Sequence, residues 1–106
     1  MTYEVVISNQ AEEDLRGIYE YIAFERRSPQ NAAGQLDRLE KTILSLDTMP
    51  YKYRSYEREP WHSRGLRIMP VDNFVVLYIP DEERRMVTVV RVMYGGRDVE
   101  NQLETE

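Results

Sequence analysis

The chain has 106 residues, 42% of them hydrophobic, enough for one core and a single domain over 1–106 whose last residues, 99–106, form a polar tail. It carries 14 Lys+Arg against 19 Asp+Glu, a net charge of −5, and with no Cys it excludes disulfides, thiolate nucleophiles, zinc fingers and iron–sulfur clusters. One His excludes two-His metal motifs, no apolar run approaches the ~20 residues of a membrane span, and Met1–Val6 lacks the basic-then-apolar pattern of a secretory signal. The expectation is a cytoplasmic protein with no metal, no cofactor and no membrane contact.

Tyr3–Ile7 is rich in β-formers and reads as a strand. Ser8 or Asn9 then caps a helix whose first turns hold Glu12, Glu13 and Asp14, carboxylates that suit the positive end of the helix dipole. Ala11, Leu15, Ile18 and Ile22 form one apolar stripe, and the helix runs to about Phe24–Arg27. Ser28-Pro29 starts a second helix, with Ser as N-cap and Pro at the first helical position. Its stripe is Ala32, Leu36, Leu39, Ile43 and Leu46, and Met49-Pro50 ends it. The short connection predicts an antiparallel helical hairpin.

Residues 51–64 have no period and read as an ordered loop, with Trp61 as an anchor. Leu66–Val71 is a strand, Asp72-Asn73 a turn, and Phe74–Ile79 a central strand containing Tyr78 as a core residue with a bonded hydroxyl. Pro80–Arg85 is a polar loop, Met86–Tyr94 the last strand, and Gly95-Gly96 breaks it. The order β-α-α-β-β-β predicts an α+β fold: an antiparallel sheet meander covered on one face by the helical hairpin, with the other face open.

Charge is unevenly spread. Residues 1–50 sum to −4, residues 51–67 to +3 and residues 68–106 to −4. The central basic stretch reads either as a contact surface for phosphate or an acidic partner, or as a solvated loop. His62 is the one candidate base, but neighbouring Ser63 points away from it in an extended chain, so no triad is implied. Gly95-Gly96 is not followed by the Lys and Ser/Thr of a phosphate loop.

Three arginines stand out: Arg67, Arg91 and Arg97. An Arg in the middle of an apolar strand costs free energy unless it faces an open side or is paired. Arg67 and Arg91 on one face would make a phosphate-binding surface through bidentate contacts, for a target or a nucleic acid. The alternative is a structural pair, such as Arg91 or Arg97 with Asp98. Tyr94, just before the glycines, is the candidate for an exposed, functional tyrosine.

The arrangement resembles the RelE/ParE superfamily of type II toxin–antitoxin toxins over roughly residues 3–100. The resemblance is carried by Leu36-Asp37-Arg38-Leu39 and Ile43-Leu44-Ser45-Leu46 before Met49-Pro50, by Gly65-Leu66-Arg67 leading into Asn73-Phe74-Val75-Val76-Leu77-Tyr78, and by Val89 through Asp98. It implies a growth-arresting toxin held by a cognate antitoxin protein that binds a groove or adds a strand. It implies one of two targets: DNA gyrase, as for ParE-like members, or mRNA on the ribosome, as for RelE-like members.

RelE-like cutting sites use Lys and Arg on the sheet face and a Tyr in the tail. Carried over here, the lysine positions fall on Ser63 and Gly65, the strand arginine on Val75 and the tail Tyr on Leu103, leaving Arg97. A rebuilt catalytic site would draw on Arg97, Arg67, Tyr94, His62 and Arg64. RNA cleavage needs a base, phosphate charge stabilisation and leaving-group protonation, so the substitutions lean toward gyrase inhibition. The alternatives are a ribosome-dependent mRNA endoribonuclease and a non-toxic antitoxin-binding module.

Overall fold

The computed structural model describes residues 2–96 and 99–104. Its elements are β1 (Glu4–Ile7), α1 (Asn9–Glu20), α2 (Pro29–Leu44), β2 (Arg67–Val71), β3 (Phe74–Asp81), β4 (Met86–Tyr94) and α3 (Val99–Glu104). Ser8 is the N-cap of α1: its Oγ accepts from the Ala11 N–H at 3.1 Å. After Glu20 the helix widens into a π turn, Tyr21–Glu25, which buries Ala23 and leaves Ile22 only half-buried. The stripe read at α-helical spacing therefore loses phase at its end. Pro29 opens α2 as expected, but Ser28 caps it through its backbone carbonyl, not its side chain.

The sheet order is β1-β4-β3-β2. The expected antiparallel meander holds for β2, β3 and β4. β1 departs from it, because it lies parallel to β4, Glu4 opposite Met86 and Ile7 opposite Val89. The physical reason is that Val-rich β4 needs a partner on its second edge, and the β-branched run Val5-Val6-Ile7 supplies it. β3 also runs two residues past its expected end, through Pro80 to Asp81. Pro80 is tolerated there because β2 pairs only as far as Tyr78, so β3 has become an edge strand.

Both sheet faces are packed. The larger core lies under the helical hairpin and joins Ala11, Leu15, Leu39 and Ile43 to Met69, Val76, Tyr78, Val87 and Val89. A smaller core fills the other face with Leu66, Ile68, Leu77, Met93 and Leu103, covered by Trp61 and Tyr56 of the 51–66 strap and by Val99 of α3. The expectation of an open second face is thus corrected: strap and terminal helix bring enough apolar surface to close it. Trp61 anchors the strap as its composition predicts.

Tyr78 is fully buried, and its hydroxyl donates to the Pro50 carbonyl at 2.6 Å. Burial pushes that hydroxyl up to about 12. A raised phenol pKa stabilises the fold in full below the free tyrosine value near 10 and loses that contribution as pH rises from there toward 12. Tyr78→Phe should cost about 1 kcal/mol at neutral pH for the lost hydrogen bond. It should also remove part of the alkaline destabilisation, seen as a flatter urea midpoint between about pH 10 and 12 than in the wild type. Equal alkaline slopes in the two proteins would exclude Tyr78 as the titrating group.

Candidate functional site

Arg91 sits where β4 changes phase. Leu77 pairs with Arg91 but Tyr78 pairs with Val89, so Val90 is the extra residue of a β-bulge. A bulge moves every later side chain to the opposite face. Arg91 therefore lies on the Leu77 face, whereas Arg67, opposite Tyr78, lies on the helix-covered face. The two arginines do not form a common phosphate-binding surface, and that expectation is corrected by the register.

Arg91 is paired with Asp14 of α1; Asp98, the partner the sequence suggests, lies outside the described residues. Its Nε donates to Asp14 Oδ2 at 2.8 Å and its Nη2 to Oδ1 at 3.1 Å, a bidentate contact with both side chains 11% exposed. The Val92 N–H donates to Asp14 Oδ2 at 2.9 Å, and Arg91 Nη1 donates to the Gln102 carbonyl of α3 at 3.0 Å. The pair ties α1, β4 and α3 together.

Arg67 is also engaged. Its Nη1 donates to the carbonyls of Tyr51, at 3.4 Å, and Tyr53, and its guanidinium lies 5.0 Å from the Tyr51 ring centroid. The Tyr51 ring meets Tyr3 edge-on at 6.4 Å, and Tyr3 donates to Glu82 Oε1 at 2.6 Å. The Glu82 bond raises the Tyr3 hydroxyl above its usual pKa, and burial raises that of Tyr51. Arg67 thus pins the strap to β2.

The basic stretch is largely spent inside the fold. Arg58 pairs with Glu100 of α3 at 3.1 Å, and Arg64 stacks 5.0 Å over Trp61. Ser63 donates its N–H and Oγ to Glu59 at 2.9 and 2.7 Å, which holds the Glu59 carboxyl below its usual range, the hydroxyl contributing most. His62 is exposed, with Nδ1 2.9 Å from the Tyr56 carbonyl. A carbonyl only accepts, so the neutral ring carries its proton on Nδ1 and keeps a lone pair on Nε2.

The catalytic candidates do not converge. Arg64 lies beside the Ile79–Arg84 turn. Tyr94 lies at the other end of β4, seven residues past Val87, the partner of Pro80, or roughly 23 Å at ~3.3 Å per residue. Arg97 lies outside the described residues. Among those residues no group of three or more His, Asp or Glu is placed to hold a metal ion, and no helix is long and apolar enough to cross a membrane.

What Tyr94 does face is a groove. Two adjoining hollows of about 580 and 500 Å³ share Tyr21, Arg26, Phe74 and Tyr94. The first continues along Glu13, Gly17 and Ile18 of α1, the second along Asn31, Gln35 and Arg38 of α2 to Asn73. The Tyr94 ring meets Phe74 edge-on at 6.0 Å and folds back over Gly96, where a Cβ would lie 2.8 Å from Cε2. Gly95 N–H donates to the Asn73 carbonyl at 2.9 Å, which ties the end of β4 to the Asp72-Asn73 turn. Arg38 and Gln35 bind Asp72 at 2.9 and 3.0 Å and hold its carboxyl below the usual range, Arg38 contributing most. Among the described residues, Tyr94 is the one candidate of the sequence reading that lines this groove. Tyr21, Arg26 and Phe74 were not singled out, because only the π turn and the hairpin end bring them together.

A family model described as the ParE toxin of type II toxin-antitoxin system, parDE, matches residues 5–99. A sequence search of curated proteins finds no match. Among solved structures, the chain is similar to one from the chromosomal ParDE toxin–antitoxin system of P. aeruginosa, at 15% identity and a TM-score of 0.68, covering 88% of this chain and 96% of that one. It is also similar to the RelBE2 toxin–antitoxin complex of Mycobacterium tuberculosis, at 20% identity and TM-score 0.65, over 89% and 92%. A free mutant of the E. coli toxin RelE superposes at TM-score 0.67 and 13% identity, over 100% and 94%. At these identities the structures show a shared fold.

The Asp14–Arg91 contact carries a direct test. Asp14→Asn keeps the shape but removes the charge from the carboxylate that Arg91 grips in a nearly closed site. Urea denaturation should show a loss of about 3 kcal/mol. An unchanged midpoint would mean that the pair does not hold the elements together.

Proposed function

The chain belongs to the ParE toxin family of type II toxin–antitoxin systems, and from that premise we propose that it arrests growth by inhibiting DNA gyrase and not by cutting RNA. The observation that carries this reading is what occupies the positions where a RelE-like cutting site would stand. Leu103 is 2% exposed in the second core, and Val75 packs against the same core. Ser63 is bonded to Glu59, and Gly65 occupies a left-handed backbone position, φ +85°. These residues support packing; none brings the cation or proton donor that phosphate cleavage requires.

The acidity of the chain supports the same reading. Contact with RNA scales with the number of phosphates neutralised, and the basic strap spends Arg58, Arg64 and Arg67 within the fold. The toxin acts as a binding protein in this account, without a cofactor, and a cognate antitoxin neutralises it.

One observation favours ribosome-dependent mRNA cleavage as a second reading: exposed His62 keeps Nε2 available as a base, two residues from Arg64. Purified protein added to gyrase and relaxed plasmid should inhibit supercoiling, and His62→Ala should inhibit equally. Intact gyrase activity together with cleaved mRNA on translating ribosomes, abolished by His62→Ala, would replace the first reading by the second. Neither effect, with antitoxin binding retained, would identify a non-toxic binding module.

A further inference from the structure

We propose that the surface of Leu44, Met49, Tyr51, Lys52 and Arg54 is where the chain holds its protein target, with an apolar side chain on Leu44 and Met49 and a carboxylate on Lys52 or Arg54. The proposal rests on the gyrase reading above. It adds a surface apart from the Tyr94 groove and a chemistry for the target segment, which is acidic with an apolar anchor.

The large hydrophobics left exposed among the described residues fall into two groups. Tyr21, Phe24 and Tyr94 stand at the hairpin end, while Leu44, Met49 and Tyr51, 60%, 63% and 45% exposed, stand where α2 gives way to the strap. Pro29 at the hairpin end and Leu44 are about 22 Å apart along α2, at ~1.5 Å per residue. The second group lies on a firmly held segment. Leu46 and Pro50 are buried, and the Tyr78 hydroxyl bonds the Pro50 carbonyl. Thr48 N–H donates to the Ser45 carbonyl at 3.4 Å and Lys52 N–H to the Met49 carbonyl at 3.2 Å, so two turns fix the chain around these anchors. Met49 and Tyr51 are thereby kept facing solvent, and apolar groups gathered on a small surface in this way mark a site of association.

Charge selects the occupant. Residues 41–56 hold Lys41, Lys52 and Arg54 against Asp47 alone. Lys41 is met by Asp37 at 3.1 Å, whereas Lys52 and Arg54 are exposed and take part in no ion pair among the described residues. Arg67 and Glu82, one of each sign, both reach Tyr51; Glu82 is also paired with Arg85 at 3.5 Å, and its neighbour Asp81 with Arg84 at 3.9 Å. The surface is therefore cationic on a chain of net −5, and it draws an acidic partner that the rest of the chain repels. A second copy pairing through the same surface would set Lys52 and Arg54 against like charges. A nucleic acid needs open aromatic faces and a run of cations. Here the Tyr51 and Tyr53 rings already carry Arg67 and Lys52, at 5.0 and 5.5 Å, and Leu44 and Met49 offer a phosphate nothing. A protein segment with a carboxylate beside an apolar side chain matches both halves of the surface.

The test is gyrase supercoiling inhibition by the purified protein, read beside calorimetric titration with the antitoxin encoded by the neighbouring reading frame. Met49 and Lys52 are exposed, so Met49→Ser and Lys52→Glu should fold as the wild type does, checked by circular dichroism. Each should raise the concentration for half-inhibition by about tenfold or more and leave the antitoxin Kd unchanged. Arg16→Glu, exposed on α1 and carrying the same change of net charge as Lys52→Glu, should inhibit as the wild type does. Wild-type inhibition by both Met49→Ser and Lys52→Glu would overturn the proposal. So would loss of antitoxin affinity in step with inhibition, which would assign the surface to the antitoxin. A wild-type dimer in sedimentation that these variants dissociate would assign it to a second copy and overturn the proposal as well. Wild-type protein that leaves gyrase untouched would defeat the gyrase reading and the surface with it, a failure distinct from loss in the variants alone.

Discussion

The carboxylate of Asp14 is the joint on which the arrangement turns. β1 is four residues long and leaves the β1-side edge of β4 beyond Val89 without a strand partner. An unpaired backbone N–H at a packed edge costs free energy comparable to a lost hydrogen bond. Asp14 takes the Val92 N–H in place of a strand, and Arg91 neutralises the charge this introduces. The position of α1 over the sheet follows from that contact. So does the placement of the π turn, of Tyr21 and Arg26, and therefore of the groove between helices and sheet. Arg91 extends the same network to the Gln102 carbonyl, so α3 rests on it as well.

The second consequence concerns the opposite face. A six-residue helix and an irregular strap would not hold alone; a helix this short is marginal in water. Leu103 and Trp61 give them apolar anchors against Leu66, Ile68, Leu77 and Met93, and Arg58–Glu100 links them to each other. Basic residues that look available in the sequence are consumed by this closure. The groove at Tyr94 opens at the edge of this closure, where Gln102 of α3 and Met93 join Tyr21 and Arg26 in its lining.

Much of the fold was legible because it rests on local patterns. The Ser8 cap, the α2 stripe, the Asp72-Asn73 turn and the full extent of β4 need only periodicity and turn chemistry. The parallel placement of β1 was not, since a short β-branched run carries no sign of direction or neighbour. The bulge at Val90 was hidden too, within an unbroken run of strand-formers, and one extra residue sent Arg91 to the opposite face from Arg67. An arginine in mid-strand announced that it needed a partner, but with 19 acidic residues in the chain nothing singled out Asp14, 77 positions away. Tyr94 was visible beside its glycines; Arg26 and Phe74 were not, because the groove is made by tertiary packing. Among the arginines read as candidates, Arg97 lies outside the described residues.

The measurement that bears most directly on the account is pulse labelling after brief induction in a bacterial host, following thymidine and amino-acid incorporation over the first minutes. A toxin that acts on gyrase will depress thymidine incorporation first, with protein synthesis following later. Collapse of amino-acid incorporation ahead of DNA synthesis would contradict the account and place the target on the ribosome.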